Sequence, residues 1–119
     1  MSGGIDKRRH HRFMARLAIE VSPGAGVPQG LTLATVDVGV GGVRCVANLR
    51  LEPEARLQLT MTLIGGDLVQ PAPIGAEAIV RRCEENPAAP FNRRFEVALE
   101  FSRLDPQDRK KLQTYLNAL

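Results

Sequence analysis

The chain has 119 residues, 44% of them hydrophobic, which suits one domain with an ordinary core and makes a second domain improbable. The net charge of +3 is unevenly distributed: residues 6–16 contain five basic residues and one acidic residue, whereas the rest of the chain has 11 basic and 12 acidic residues. This distribution excludes a surface that is basic all over and predicts a localised anionic partner.

Cysteine usage favours a reducing compartment, and hydropathy favours a protein without a membrane span. Cys45 and Cys83 lie 38 positions apart, and neither belongs to a CxxC pair or a disulfide framework. No apolar run approaches the roughly 20 residues of a membrane span, and no hydrophobic stretch follows the N-terminal charges. We therefore expect a cytoplasmic protein without a membrane span.

Alternation of apolar and polar residues predicts six short strands, separated by segments rich in glycine and proline. In chain order these strands are an N-terminal one from Phe13 through Val21, then Leu31–Val36, Val43–Ala47, Leu57–Leu63, about Ile74–Cys83 and Phe95–Phe101. Antiparallel strands of this number and length predict a closed or nearly closed β-barrel, because small all-β domains remove their exposed edges in this way.

The pattern changes to a helical period at the C-terminus. Asp105 is placed to cap a helix over residues 105–118, and the apolar residues repeat at intervals of three and four. These residues are Leu112, Tyr115, Leu116 and Leu119, and they form a stripe that can pack on the barrel. The predicted organisation is a basic arm over residues 1–12, followed by a single barrel domain over residues 13–119 that includes the helix.

Two polar signatures predict a site for a guanine nucleotide. Arg8 and Arg12 are four positions apart in the basic arm, and Asp37 begins the segment Asp-Val-Gly-Val-Gly-Gly after the second predicted strand. Guanine presents O6 and N7 acceptors that match a guanidinium group, and N1 and N2 donors that match a carboxylate. The two signatures together therefore suit one ligand.

The same residues resemble the PilZ family of bacterial cyclic di-GMP receptors over nearly the whole chain. The RxxxR motif of that family falls on Arg8 and Arg12, and the DxSxxG motif falls on Asp37, Gly39 and Gly42. Gly39 stands where the family usually has serine, so one hydroxyl is missing. Because a neutral hydrogen bond contributes about 0.5–1.5 kcal/mol, this substitution is expected to weaken binding roughly two- to tenfold without abolishing it.

The resemblance implies a role for each site residue. Arg8 and Arg12 would contact guanine edges and phosphate oxygens when the arm wraps over the barrel, and Asp37 would accept from guanine N1 and N2. Gly42 would let the backbone turn close to the ligand.

Arg9 and Arg44 are expected to make supporting contacts with phosphate. The resemblance implies a non-catalytic receptor without a cofactor, monomeric or dimeric, which changes conformation on binding and regulates an effector protein in motility, secretion or surface behaviour.

Other interpretations stay open. The arm is alternatively a solvated terminus and the Asp37 segment only a turn, in which case the chain is a PilZ-like protein adaptor that does not bind nucleotide. Nucleic-acid binding is less favoured because few aromatic residues are present for base stacking. No catalytic triad or phosphate-binding loop is present, and His10 and His11 lack a third metal ligand at suitable spacing.

Overall fold

The computed structural model describes residues 13–14, 17–24 and 26–119, and it confirms a mainly β fold that ends in one helix. The elements are β1 Phe13–Met14, β2 Ala18–Val21, β3 Leu33–Val38, β4 Gly42–Ala47, β5 Arg56–Leu63, β6 Ala72–Glu85, β7 Phe95–Leu104 and α1 Pro106–Asn117. In this part of the chain, no helix has the length and apolarity of a membrane span.

The strands form one antiparallel sheet that curls into a nearly closed barrel. Their order across the sheet is β1-β3-β4-β7-β6-β5-β2, so β1 and β2, which are consecutive in sequence, lie at opposite ends. Phe13 pairs with Val38 of β3, while Ile19 pairs with Met61 of β5. The first of the six predicted strands is thus divided into two short strands. One pairs with β3 and the other with β5, at opposite ends of the sheet.

The barrel interior is filled by the apolar residues of each alternating pattern. In β5, for example, Leu57, Leu59, Met61 and Leu63 are all at most 3% exposed, whereas Gln58 and Thr60 between them face solvent. A period of two places alternate side chains on opposite faces of a strand, so the burial follows directly from the sequence pattern. The inner face of every long strand contributes to this single core.

Helix α1 packs over the barrel as the C-terminal pattern predicts. The carboxylate of Asp105 accepts a hydrogen bond of 2.9 Å from the Gln107 backbone amide and so caps the helix. Leu112, Tyr115 and Leu116 are buried, and the Tyr115 hydroxyl donates to the Ile64 carbonyl at 2.8 Å. The expectation for Leu119 was wrong: the helix ends at Asn117, and Leu119 is 53% exposed.

Cys45 on β4 lies inside the core, where it is only 1% exposed. Burial, reinforced by the negative charge of Asp37, raises the pKa of the Cys45 thiol to about 12. The alternation in β4 turns Val43 and Cys45 inward and Arg44 outward, so Cys45 serves as a small buried hydrophobic residue.

We expect the raised pKa of Cys45 to make the folded protein less stable at alkaline pH. An unfolded thiol ionises near pH 9 while the buried thiol stays protonated, so the free energy of unfolding should fall between about pH 9 and 12, by up to about 1.4 kcal/mol per pH unit. Urea unfolding of wild type and Cys45→Ala at several pH values measures this, because the variant lacks this contribution. Parallel losses of stability in the two proteins would contradict it.

Candidate functional site

A β-bulge in β3 places Asp37 on the outer face of the barrel. Thr35 pairs with Cys45 and Asp37 pairs with Arg44, so Val36 is an additional residue without a partner in the register. Since side chains alternate along a strand, one additional residue reverses the faces of all residues that follow it. Asp37 therefore lies opposite Arg44 on the outside, and Val38 returns to the core beside Val43.

Asp37 lies within β3, which ends at Val38, two residues beyond the predicted end of that strand. It is also the only buried charged residue in the part of the chain that the structure describes, at 6% exposure. The Arg44 guanidinium donates to Asp37 Oδ2 from Nε at 2.7 Å and from Nη2 at 2.6 Å. These charge-assisted hydrogen bonds explain how the strand accommodates a carboxylate, and they orient that carboxylate at the barrel surface.

The turn after β3 is held closed by the backbone. Gly39 N donates to Gly42 O at 2.9 Å, and Phe101 N of β7 donates to Gly41 O at 2.9 Å. A Cβ atom on Gly42 would overlap the Leu99 carbonyl oxygen and lie 3.2 Å from the Glu100 Cα. Gly42 is thus required for the close approach of β4 to β7, a reason for glycine that the sequence pattern alone did not supply.

The register of β1 places the N-terminal strand against the acidic signature. Met14 pairs with Asp37 and Phe13 pairs with Val38, so β1 lies directly against the end of β3 that carries the acidic signature. Arg12 immediately precedes Phe13 in the chain. Arg8, Arg9 and Arg12 themselves lie outside the described residues, as do His10 and His11.

A surface groove of about 440 Å³ extends from Arg44 across the outer face of the barrel. Arg82 of β6 and Arg93, in a 3-10 turn over Phe91–Arg93, also line it, together with Asn86 and Glu96. Arg44 and Arg82 both pair with Ala98 of β7, from opposite sides, so the two residues lie in one row across the sheet. The lining thus contains three arginines and one glutamate, and two of these arginines also contact neighbouring carboxylates: Arg44 pairs with Asp37, and Arg82 Nε lies 3.0 Å from Glu84 Oε1.

Arg82 and Arg93 are site residues that sequence reasoning does not identify. Strict alternation from the buried residues Ala78 and Val80 would place Arg82 on the inner face, but a register shift between Val80 and Arg82 turns it to the outer face that Arg44 shares. Asn86 follows the end of β6, and its backbone amide donates to the Arg94 carbonyl at 2.7 Å. Knowledge of the strand order would have been needed to place these three residues together.

The arrangement combines hydrogen-bond donors and an acceptor suited to a polar, anionic ligand. The groove supplies three guanidinium groups, and the carboxylate of Asp37 lies at its Arg44 end. Within the described ranges, no group of three or more His, Cys, Asp and Glu side chains is placed to hold a metal ion. Guanidinium and carboxylate groups placed in this way can recognise a ligand through charged hydrogen bonds.

Comparisons with known proteins agree with this fold. The solved structure of the Bacillus subtilis inhibitor of motility, MotI/DgrA, is similar with a TM-score of 0.73 and 22% identity, over 95% of this chain and 51% of that one. The chain thus spans about half the length of that structure. No curated protein matches the sequence. The family model of the PilZ domain matches residues 6–118, and the chain therefore belongs to the PilZ domain family.

Proposed function

We propose that this PilZ domain is a receptor for cyclic di-GMP that regulates a partner protein. The observation that carries the proposal is the pairing of β1 with β3, since it joins the strand that follows the arginine arm to the strand that holds Asp37. Membership of the PilZ family supports cyclic di-GMP as the ligand. The arginines that line the groove beside Asp37 support a ligand with negative charge.

In this proposal each part of the ligand meets matching chemistry. Asp37 accepts from guanine N1 and N2, and Arg8 and Arg12 donate to guanine edges and phosphate oxygens, with Arg9 in support. Arg44 acts first as the residue that orients Asp37, because both of its contacts reach the same carboxylate oxygen. Arg82 and Arg93 of the groove add N–H donors for the phosphates, those of Arg82 from a guanidinium group that also contacts Glu84.

The output is proposed by analogy. The structural neighbour MotI/DgrA is named an inhibitor of motility, which favours motility among the processes that this chain could regulate. A PilZ domain of this kind acts as a receptor or adaptor rather than an enzyme, so the effect on motility would pass through an effector protein. In this view ordering of the arm on the barrel changes the surface that the effector contacts.

A second candidate function is that of an adaptor that binds protein but no nucleotide. Gly39 favours this alternative, because the hydroxyl of the family motif is absent at that position. The two functions differ in one measurable property, the affinity for cyclic di-GMP.

Calorimetric titration with cyclic di-GMP tests the proposal, with cyclic di-AMP as the matched control. Adenine presents a donor where guanine has O6 and lacks the donors that Asp37 would bind, while the phosphates are unchanged. We expect saturable heat with cyclic di-GMP and at least tenfold weaker binding of cyclic di-AMP. Asp37→Ala should reduce this preference, because the N1 and N2 donors of guanine then lose their acceptor. Absence of heat with either nucleotide would favour the adaptor.

Restoring the missing hydroxyl should strengthen nucleotide binding. We expect Gly39→Ser to lower the Kd for cyclic di-GMP roughly two- to tenfold, because one neutral hydrogen bond contributes about 0.5–1.5 kcal/mol. Gly39→Ala is the control, since it adds the Cβ atom without the hydroxyl. Equal affinities of the serine and alanine variants in the same titration would argue against the alignment of Gly39 with the serine of the motif.

A further inference from the structure

An apolar groove lies on another part of the surface, between α1 and the segment that connects β5 to β6. Its volume is about 570 Å³, and it shares no lining residue with the basic groove beside Asp37. The floor is formed by Leu63, Leu68, Ala72, Tyr115 and Ala118. The groove is thus an apolar surface that the proposed nucleotide site does not use.

Exposed hydrophobic side chains are concentrated beside this groove. Among the described residues, the large hydrophobic side chains that are exposed are Ile64, Val69, Phe91 and Leu119. Three of these four are chain neighbours of residues in the groove floor: Ile64 follows Leu63, Val69 follows Leu68, and Leu119 follows Ala118. Single exposed apolar residues are ordinary, but such residues around an apolar groove are typical of an interaction site.

The charges at the groove select the kind of partner. Lys110 and Lys111 of α1 line it, and Asp67 is its only acidic lining residue. Lys110 has no ion pair within the described part of the chain, and Lys111 is 57% exposed at 3.9 Å from the Asp108 carboxylate. Both ammonium groups are therefore available to a carboxylate of a partner, which indicates an acidic ligand.

We propose that this groove docks an amphipathic helix of a partner protein, with acidic residues flanking the apolar face. An apolar channel alongside a helix suits side chains that repeat at intervals of three and four, and the lysines would pair with the acidic flank. A second copy of the chain would bring the same lysines together, which opposes self-association through this face. Two lysines are also fewer than the four to eight basic residues typical of lipid recognition.

Two synthetic helical peptides provide the probe. Both are about 18 residues long, roughly five turns, with the same leucine stripe, and they carry either glutamate or lysine on the polar flanks. Fluorescence anisotropy with the full chain should give at least tenfold tighter binding of the glutamate peptide. Amide chemical shifts should change at Leu68, Ala72 and Ala118.

Charge reversal on α1 gives the decisive comparison. Lys110→Glu combined with Lys111→Glu should lower the affinity for the glutamate peptide at least tenfold and raise the affinity for the lysine peptide. Arg103→Glu is the control, because Arg103 is exposed on β7 and does not line the groove. It should change either affinity less than twofold.

Other outcomes would overturn the inference. These are equal affinities of the two peptides, an unchanged affinity after charge reversal, or shift changes centred away from the groove. Dimerisation of the chain through this face, or tighter binding to phosphatidylglycerol vesicles than to the glutamate peptide, would assign the groove to a second copy or to a lipid surface instead.

Discussion

Replacing Arg8 and Arg12 together by alanine is expected to weaken binding of cyclic di-GMP at least a hundredfold. A hydrogen bond to a charged group contributes about 1.5–3 kcal/mol, and each 1.4 kcal/mol corresponds to a factor of about ten in affinity. Loss of one such contact from each arginine should therefore reduce the binding free energy by about 3–6 kcal/mol. Calorimetric titration of the double variant and of each single variant measures the effect.

Lys7→Ala is the matched control for the arm, since it removes one positive charge outside the RxxxR signature. We expect it to change the Kd less than threefold, and its effect should decrease as salt screens the long-range attraction. If Lys7→Ala weakened binding as much as Arg12→Ala, the arm would act only through its total charge. That outcome would contradict specific contacts from Arg8 and Arg12.

The largest effect on stability is expected for Gly42→Ala. The added Cβ would overlap the Leu99 carbonyl oxygen, and backbone of a central strand cannot move aside as the end of a flexible side chain can. Overpacking of this kind costs about 1–3 kcal/mol or more, and we expect a loss in the upper part of this range. The free energy of unfolding in urea measures the loss.

Gly24→Ala is the matched control for Gly42→Ala. The region around Gly24 is open, with nothing within 4 Å of an added Cβ. We expect its free energy of unfolding to stay within about 0.5–1 kcal/mol of wild type. Equal stability of the two variants would show that β4 can move away from β7, and the requirement for glycine at position 42 would then lie elsewhere.

The fold could be predicted largely from the sequence, because burial in a strand follows a period of two. The alternation of Leu57, Leu59, Met61 and Leu63 in β5 appears in the structure as an unbroken buried row. The cap at Asp105 was also predictable, since its chemistry is local. What failed at Leu119 was the assumption that a periodic pattern continues beyond the last helical turn.

The site could be predicted only in part, because its geometry depends on non-local pairing. A composition pattern identifies Asp37, but the bulge at Val36 that turns it outward appears only when β3 is paired with β4. The contact of Gly42 with Leu99 and the alignment of Arg44 with Arg82 likewise join residues distant in sequence. Each of these depends on register, which alternation alone does not specify.

The position of β1 and β2 at opposite ends of the sheet has a consequence for shortened forms of the protein. These two strands cover the free hydrogen-bonding edges of β3 and β5. A truncation that removes the arm but keeps Phe13–Val21 leaves both edges paired. One that continues into these strands exposes two rows of backbone donors and acceptors, which favours aggregation and strand exchange between molecules. Loss of function in such a fragment would then report on self-association rather than on ligand recognition.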